Sequence, residues 1–285
     1  MIERIARAKI NLALHVTGRR EDGYHLLDTL AGFADFGDLL RFEPAPDGQI
    51  SLKITGPFAA EPGLSGEDNI VASAARLLAQ AADIPAGAAI TLEKNLPVAS
   101  GIGGGSADAA AALLGLRELW QVADDIALEP LAMRLGADVP MCLVSAPLRA
   151  RGIGEVVEPL AGACALHAVL VNPRVAVATP QVFAALDARS NPPIGDAPEN
   201  PFDPDFLAGM RNDLEAPARK LFPVIGDVLA SIGRQEGCLL ARMSGSGATC
   251  FGLFATKGEA NAAHRAIVDK APHWWSVPAE IGGTA

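Results

Sequence analysis

Residues Ser100 to Ser106 read Ser-Gly-Ile-Gly-Gly-Gly-Ser, four glycines within five positions, between a strand-like segment, AAITLEKNL, and a long alanine-rich helical pattern, SADAAAALLGLRELW. Successive glycines reach φ > 0 and let the backbone close around an anion, and a helix start adds free N–H groups and dipole charge of the favourable sign. The plain alternative is a glycine turn that packs a helix tightly on a sheet. A density of four in five at a strand-to-helix junction favours the phosphate cradle. What is missing narrows its design. There is no GxxxxGK[ST], Ser106 stands where a dinucleotide fingerprint needs Gly or Ala, and no HRD or DFG string occurs, so the cradle belongs to none of those nucleotide-binding types.

The rest of the pattern is mixed. Ile10, Leu12, Leu14 and Val16 alternate with Lys9, Asn11, Ala13 and His15, a period of two that predicts a strand with Lys9, Asn11 and His15 on one face. Residues 17–23 are polar and glycine-bounded, a turn into a second strand near Tyr24, and short strands over 39–42 and 50–54 complete an expected antiparallel sheet. Asp68 or Ser65 can cap a helix carrying Ile70, Val71, Ala74, Leu77 and Leu78. A further helix is expected over 128–135, ending at Gly136. A strand over 165–171, a Pro-rich loop over 191–204 and helices over 213–221 and 225–234 follow. A shift of composition predicts two domains, 1–155 and 156–285.

Composition excludes several roles. Among 285 residues, 23 Lys+Arg against 33 Asp+Glu give a net charge of −10, which argues against a nucleic-acid partner but not against a small phosphate ligand held by N–H donors. No apolar run is long enough to span a bilayer, and MIERIARAKI lacks the apolar stretch of a secretory signal. Cys142, Cys164, Cys238 and Cys250 form no CxxC pair, so a reducing cytoplasm is the expected setting. The chain has one tyrosine, Tyr24. Oligomeric state is not legible.

Three segments in this order, AKINLALHV, LPVASGIGGGSADAAAALLG and RMSGSGATCFGLF, resemble the three motifs of the GHMP small-molecule kinases. The first turn of the loop departs from the family's usual PMGGG, since Pro97 is followed by Val98, Ala99 and Ser100. The resemblance implies a two-lobed α+β fold, with an N-terminal lobe like ribosomal protein S5 domain 2 and a ferredoxin-like C-terminal lobe. It implies ATP as co-substrate with Mg²⁺, bound along Pro97, Val98, Ala99, Ser100, Gly101, Ile102, Gly103, Gly104, Gly105, Ser106 and Ala107, with Asn69 and Lys94 on the adenine side. Ser106 offers a hydroxyl to Mg²⁺ or phosphate, or is a simple helix cap. Gly245, Ser246 and Gly247 form a second glycine turn in a supporting role, or merely a tight hairpin.

Phosphoryl transfer needs positioning, charge neutralisation and a group that receives the attacking hydroxyl's proton. Asp138 in GADVP matches the family's proposed base, with Pro140 holding Val139 extended; otherwise it is a turn residue. Lys9 matches the lysine paired with that aspartate; otherwise it is a solvated strand lysine. With GRREDGYHLLDTL and LGADVPMCL also present, the resemblance implies an acceptor bearing cytidine diphosphate. Tyr24 would stack on the base, His25 would contact its edge, Phe183 would complete the sandwich and Asn11 would bond the acceptor. On sequence alone, His25 equally suits a surface turn and Phe183 the core. The implied activity is phosphorylation of the 2-hydroxyl of a cytidyl-diphosphate methylerythritol in non-mevalonate isoprenoid synthesis. A homoserine- or mevalonate-like kinase and a non-catalytic nucleotide sensor remain as alternatives.

Overall fold

The computed structural model describes residues 1–46, 48–64, 69–85 and 87–282. The chain forms two compact units built from interleaved segments: residues 1–8, 36–98 and 103–144 in the first, and 9–35, 99–102 and 145–285 in the second. The division is therefore not the contiguous one expected at residue 155. Two long strands, β1 (Ile2–Arg19) and β2 (His25–Pro44), each contribute to both units.

In the first unit β3 (Ile50–Thr55), α1 (Ile70–Ala82) and β4 (Ala88–Glu93) form a crossover, with β3 parallel to β4 and β4 antiparallel to β2. The purely antiparallel expectation fails here because a helical crossover returns the chain in the same direction. Asp68 and Ser65 lie outside the described residues. Asn69 caps α1, its Oδ1 accepting the Val71 N–H at 2.8 Å. The strands expected near Tyr24 and over 39–42 are one continuous β2. Gly37, inside β2, marks a close approach: a Cβ there would lie 2.1 Å from the Ala6 carbonyl oxygen.

α2 (Gly104–Leu119), α3 (Glu129–Leu135) and α4 (Val139–Val144) complete this unit. α2 buries Ala107, Ala109 to Leu113 and Leu116, so its small side chains let it lie close to its neighbours, and each buried leucine contributes about 1.5–3 kcal/mol. Val139 is helical rather than extended. Pro140 stands in the first turn of α4, where its missing N–H costs nothing.

In the second unit β5 (Leu148–Gly152) pairs with β2 over Leu27–Ala31 and with β6 (Val156–Pro159). After β7 (Leu166–Asn172) come α5 (Thr179–Ala184), α6 (Pro204–Ala208), α7 (Glu215–Leu221), α8 (Val224–Gly233), β8 (Cys238–Met243), β9 (Cys250–Phe254), α9 (Lys257–Lys270) and β10 (Trp275–Ile281). The antiparallel order β10-β7-β9-β8, covered by α8 and α9, is the ferredoxin-like βαββαβ arrangement. Its core joins Val169, Val171, Ile225, Val228, Ile232, Ala263 and Ile267 with Leu14 and Val16 of β1. Among the described residues no helix is long and apolar enough to cross a membrane.

Candidate active site

The glycine-rich segment is anchored by its carbonyls. Ser100 O accepts the Thr249 N–H at 3.0 Å, Gly101 O accepts the Ser244 hydroxyl at 3.0 Å, and Ile102 O accepts the Lys9 N–H at 2.9 Å. Ile102 is fully buried, an apolar peg among glycines. Gly101 has φ of 75°, and a Cβ there would lie 2.6 Å from both the Ser244 and Gly247 carbonyl oxygens, so only glycine fits. The second glycine turn, Gly245 to Gly247, is buried against this segment. Ala99 takes φ of 50° at the point where the loop departs from the family pattern. Pro97 and Val98 belong to the first unit and lead into it.

Gly103, with φ of 65°, precedes α2, and its carbonyl accepts the Ala107 N–H at 2.8 Å. No side chain caps this helix start, so Ser106, half-buried in the first turn, is not the N-cap. A Cβ on Gly105 would meet nothing within 4 Å, and one on Gly104 only Leu96 and the Lys94 ammonium at 3.7–3.8 Å. Neither glycine has a positive φ. Folding therefore does not ask for glycine at these positions, whereas a phosphate lying against the first N–H groups of α2 does.

Lys94 lies beneath this helix start. Its Nζ bonds the Asp38 carboxylate and, at 2.7 Å, Asp108 Oδ2. All three groups are buried. Asp38 Oδ1 also accepts the N–H groups of Asn95 at 2.6 Å and Leu96 at 2.8 Å, fixing the approach to Pro97. Burial pushes the Asp108 carboxyl up to about 8, against the pull of Lys94 and with a push from Asp38. Lys94 and Asn69, both expected on the adenine side, make these pairings and the cap of α1 in the structure.

Lys9 is 3% exposed, so it is not a solvated strand lysine; β1 is covered on both faces over 8–16. Asn11 is equally buried, its Nδ2 donating to Thr29 Oγ1 at 2.8 Å while Thr29 donates to Ala13 O at 2.6 Å. Asp138 immediately precedes α4, its carbonyl accepting the Cys142 N–H at 3.3 Å. Lys9 belongs to the second unit and Asp138 to the first.

Tyr24 sits at the tip of the β1–β2 hairpin, closed by Arg20 N–H on Tyr24 O at 2.7 Å, and is 59% exposed. His25 stacks on Phe183, ring centroids 4.7 Å apart and planes 20° from parallel. Phe183 is half-buried against the core of its unit, so it is both a core residue and half of an aromatic pair. The His25 Nε2 atom is buried without a partner. Burial lowers the imidazole's pKa, helped by Arg19 and Arg189, which keeps the ring neutral at pH 7.

Ser244, Asn212, Asp38 and Asp108 escape a reading of the sequence. Asp108 alone leaves a signal, one carboxylate inside an all-alanine helix face. The others act through pairings such as Asn11 with Ser244, 233 residues apart.

Residues 69–146 match the GHMP kinases N terminal domain and residues 204–273 the GHMP kinases C terminal domain. The chain is similar to the 4-diphosphocytidyl-2-C-methyl-D-erythritol kinase of Cereibacter sphaeroides, 53% identical over 99% of this chain and all of that protein. It is likewise similar to the kinase of the same name from Paramagnetospirillum magneticum, 50% identical over 97% of each chain. A crystal structure of 4-(cytidine 5'-diphospho)-2C-methyl-D-erythritol kinase superposes with a TM-score of 0.83 at 36% identity, covering 99% of this chain and 100% of that one. A homoserine kinase from Cytophaga hutchinsonii, at 19% identity and a TM-score of 0.74 over 98% of this chain and 93% of its own, shares the fold. The chain belongs to the GHMP kinases and, within them, to the 4-diphosphocytidyl-2-C-methyl-D-erythritol kinase family.

Proposed function

We propose that this protein transfers the γ-phosphoryl group of ATP to the 2-hydroxyl of 4-diphosphocytidyl-2-C-methyl-D-erythritol, a step of non-mevalonate isoprenoid synthesis in the cytoplasm. The observation that carries the kinase reading is the helix start at Gly104–Gly105, with glycine where neither φ nor packing requires it. Homology to relatives of that name over nearly the whole chain supports the choice of acceptor.

The residues present fit ATP with Mg²⁺. The glycine-rich loop of residues 97–107 would hold the phosphates, and the Ser106 hydroxyl would be the protein's contribution to the metal. Among the described residues no group of three or more His, Cys, Asp or Glu could hold a metal ion, which suits Mg²⁺ carried largely by substrate phosphates and water. When bound, Mg²⁺ neutralises charge on the phosphates. Asp138 accepts the proton of the 2-hydroxyl as its oxygen bonds to the γ-phosphorus and the bond to ADP breaks. Lys9 supplies positive charge to the transfer, and Asn11 orients the acceptor.

The cytidine ring lies against Tyr24, while the neutral His25, with Nε2 unpartnered, contacts its polar edge. Phe183, which stacks on His25 with ring centroids 4.7 Å apart, would complete the aromatic sandwich on the base. Arg19 and Arg189, close enough to depress the His25 pKa, suit the diphosphate.

An ADP-release assay with the cytidyl substrate, homoserine and mevalonate as acceptors tests this reading. Turnover of the cytidyl compound alone is expected. Turnover of homoserine or mevalonate in its place would overturn the acceptor, and ATP binding with no turnover on any acceptor would overturn the kinase.

A further inference from the structure

We propose that Arg189 reads the diphosphate of the acceptor and so sets a preference for a cytidyl diphosphate over an uncharged cytidyl compound. This rests on the acceptor reading above and gives it a specificity residue.

Residues 190–192 belong to no helix or strand, yet they are sewn to β1 rung by rung as a short strap. The His15 Nδ1–H donates to Pro192 O at 3.1 Å, the Asn191 N–H to Val16 O at 2.9 Å, and the Ser190 hydroxyl to Thr17 O at 3.4 Å. Each step back along the strap is one step on along β1, which is an antiparallel register. The next pair sets Arg189 alongside Gly18, at the base of the hairpin that carries Tyr24 and His25. Gly18 in turn faces the start of β2, where a Cβ on it would lie 3.3 Å from Leu26 Cδ1.

Polar side chains fix the strap. Asn191 Nδ2 donates to Val16 O and to Asp213 Oδ2, both at 3.1 Å, and the Arg211 guanidinium donates to Pro192 O at 2.7 Å. Pro192 and Pro193 bring no N–H of their own, so side chains take over where main-chain pairing stops. Beyond them the Ile194 N–H donates to Asp28 Oδ2 at 2.9 Å, and Arg149 holds that carboxylate by bonds of 2.8 and 2.7 Å.

Arg189 itself is left over. It is exposed and, among the described residues, makes no ion pair or side-chain hydrogen bond, whereas Arg20 and Arg151, exposed in the same unit, meet carboxylates at 2.6 and 2.7 Å. The charges that act on His25 are those of Arg19 and Arg189, both positive, in a chain of net charge −10. Arg19 is engaged within the hairpin, its Nε donating to Gly23 O at 3.2 Å. Arg189 keeps its whole fork of N–H donors for an anion, and a guanidinium grips phosphate oxygens through paired N–H···O bonds. With the base at Tyr24 and His25, the diphosphate one ribose away falls to Arg189.

Calorimetric titration with cytidine 5'-diphosphate and with cytidine, the ATP site filled by adenylyl imidodiphosphate and Mg²⁺, tests this. The wild type should bind the diphosphate at least about tenfold more tightly than the nucleoside. Arg189→Gln, at an exposed and unpaired position where folding is not at stake, should narrow that gap to about twofold or less and leave the affinity for cytidine unchanged. An undiminished gap overturns the proposal. So does an equal loss for both ligands, which would make Arg189 a support of the base platform. In turnover the variant's acceptor KM should rise at least about fivefold while the KM for ATP stays within about twofold; an equal rise in both overturns the proposal. An undiminished gap in an active variant defeats this inference alone, whereas a wild type that binds neither ligand defeats the acceptor reading and this inference with it.

Discussion

At Gly101 a Cβ would lie 2.6 Å from two carbonyl oxygens on a backbone with φ of 75°, whereas at Gly105, in the first turn of α2, it would meet nothing within 4 Å. The two residues are four apart in one motif, yet they are glycine for opposite reasons. The protein's own backbone excludes a side chain at Gly101, as it does at Gly245, where a Cβ would lie 2.6 Å from Gly101 O. At Gly105 the fold tolerates any helix former and would gain from one, since glycine costs a helix interior about 0.5–1 kcal/mol relative to alanine. A glycine at the start of a helix that folding does not need is what the proposed phosphate site asks for. Glycine count alone cannot separate the two cases; the surroundings of a notional Cβ can.

The largest effect is expected at Gly101. Gly101→Ala combines left-handed strain with a collision against backbone that cannot give way, costing about 3 kcal/mol or more. Its thermal unfolding should show activity and fold lost together; an undiminished melting temperature would remove the distinction between the two glycines.

Asp108, under the same helix start, gives an intermediate effect. Its carboxyl is raised from an ordinary 3.8 to about 8, so the folded protein holds a proton that the unfolded chain releases between those values. Stability from this group is full below pH 3.8, is lost as pH rises through about 8 and is unchanged beyond. Asp108→Asn, a neutral near-isostere, should be close to wild type in stability at pH 7 and should flatten the decline between pH 4 and 8 in denaturant titrations. A severe loss of stability at pH 7 would mean that an ionised Asp108 is what Lys94 holds.

The smallest effect belongs to a residue outside both glycine classes. Tyr24 is exposed at a hairpin tip that its main chain, not its side chain, closes, so Tyr24→Ala should leave the melting temperature unchanged and raise the acceptor KM by the ~1–3 kcal/mol of a lost stack. An unchanged acceptor KM would remove Tyr24 from the base platform.

The strongly periodic pieces of the fold were legible: the alternation of β1, the alanine-rich α2, and α7 and α8 near their predicted bounds. β2 was expected as two separate strands, yet it runs unbroken through Gly32 and Gly37, each of which marks a close approach: of Ile281 at 2.5 Å to a Cβ on Gly32, and of the Ala6 backbone at 2.1 Å to one on Gly37. α9 went unpredicted although Thr256 and Glu259 carry its capping box in sequence. Parallel pairing of β3 with β4 depends on a crossover that strand patterns do not encode. In the candidate site, the contiguous segment 97–107 stands out from local chemistry. The hydrogen bonds of Ser244, Asn212 and Asp38 do not, because their partners lie tens to hundreds of residues away. Burial of Lys9 was likewise invisible, since alternation locates a polar face without saying what covers it.

Gly105→Val tests the central claim most directly, with the melting temperature and the kcat/KM for ATP measured on the same preparation. Valine is no worse than glycine inside a helix and has open space around its Cβ. The account therefore expects an unchanged melting temperature and a kcat/KM for ATP lowered at least about tenfold by a side chain in the phosphate's place. A variant as stable as wild type with undiminished kcat/KM for ATP would contradict it.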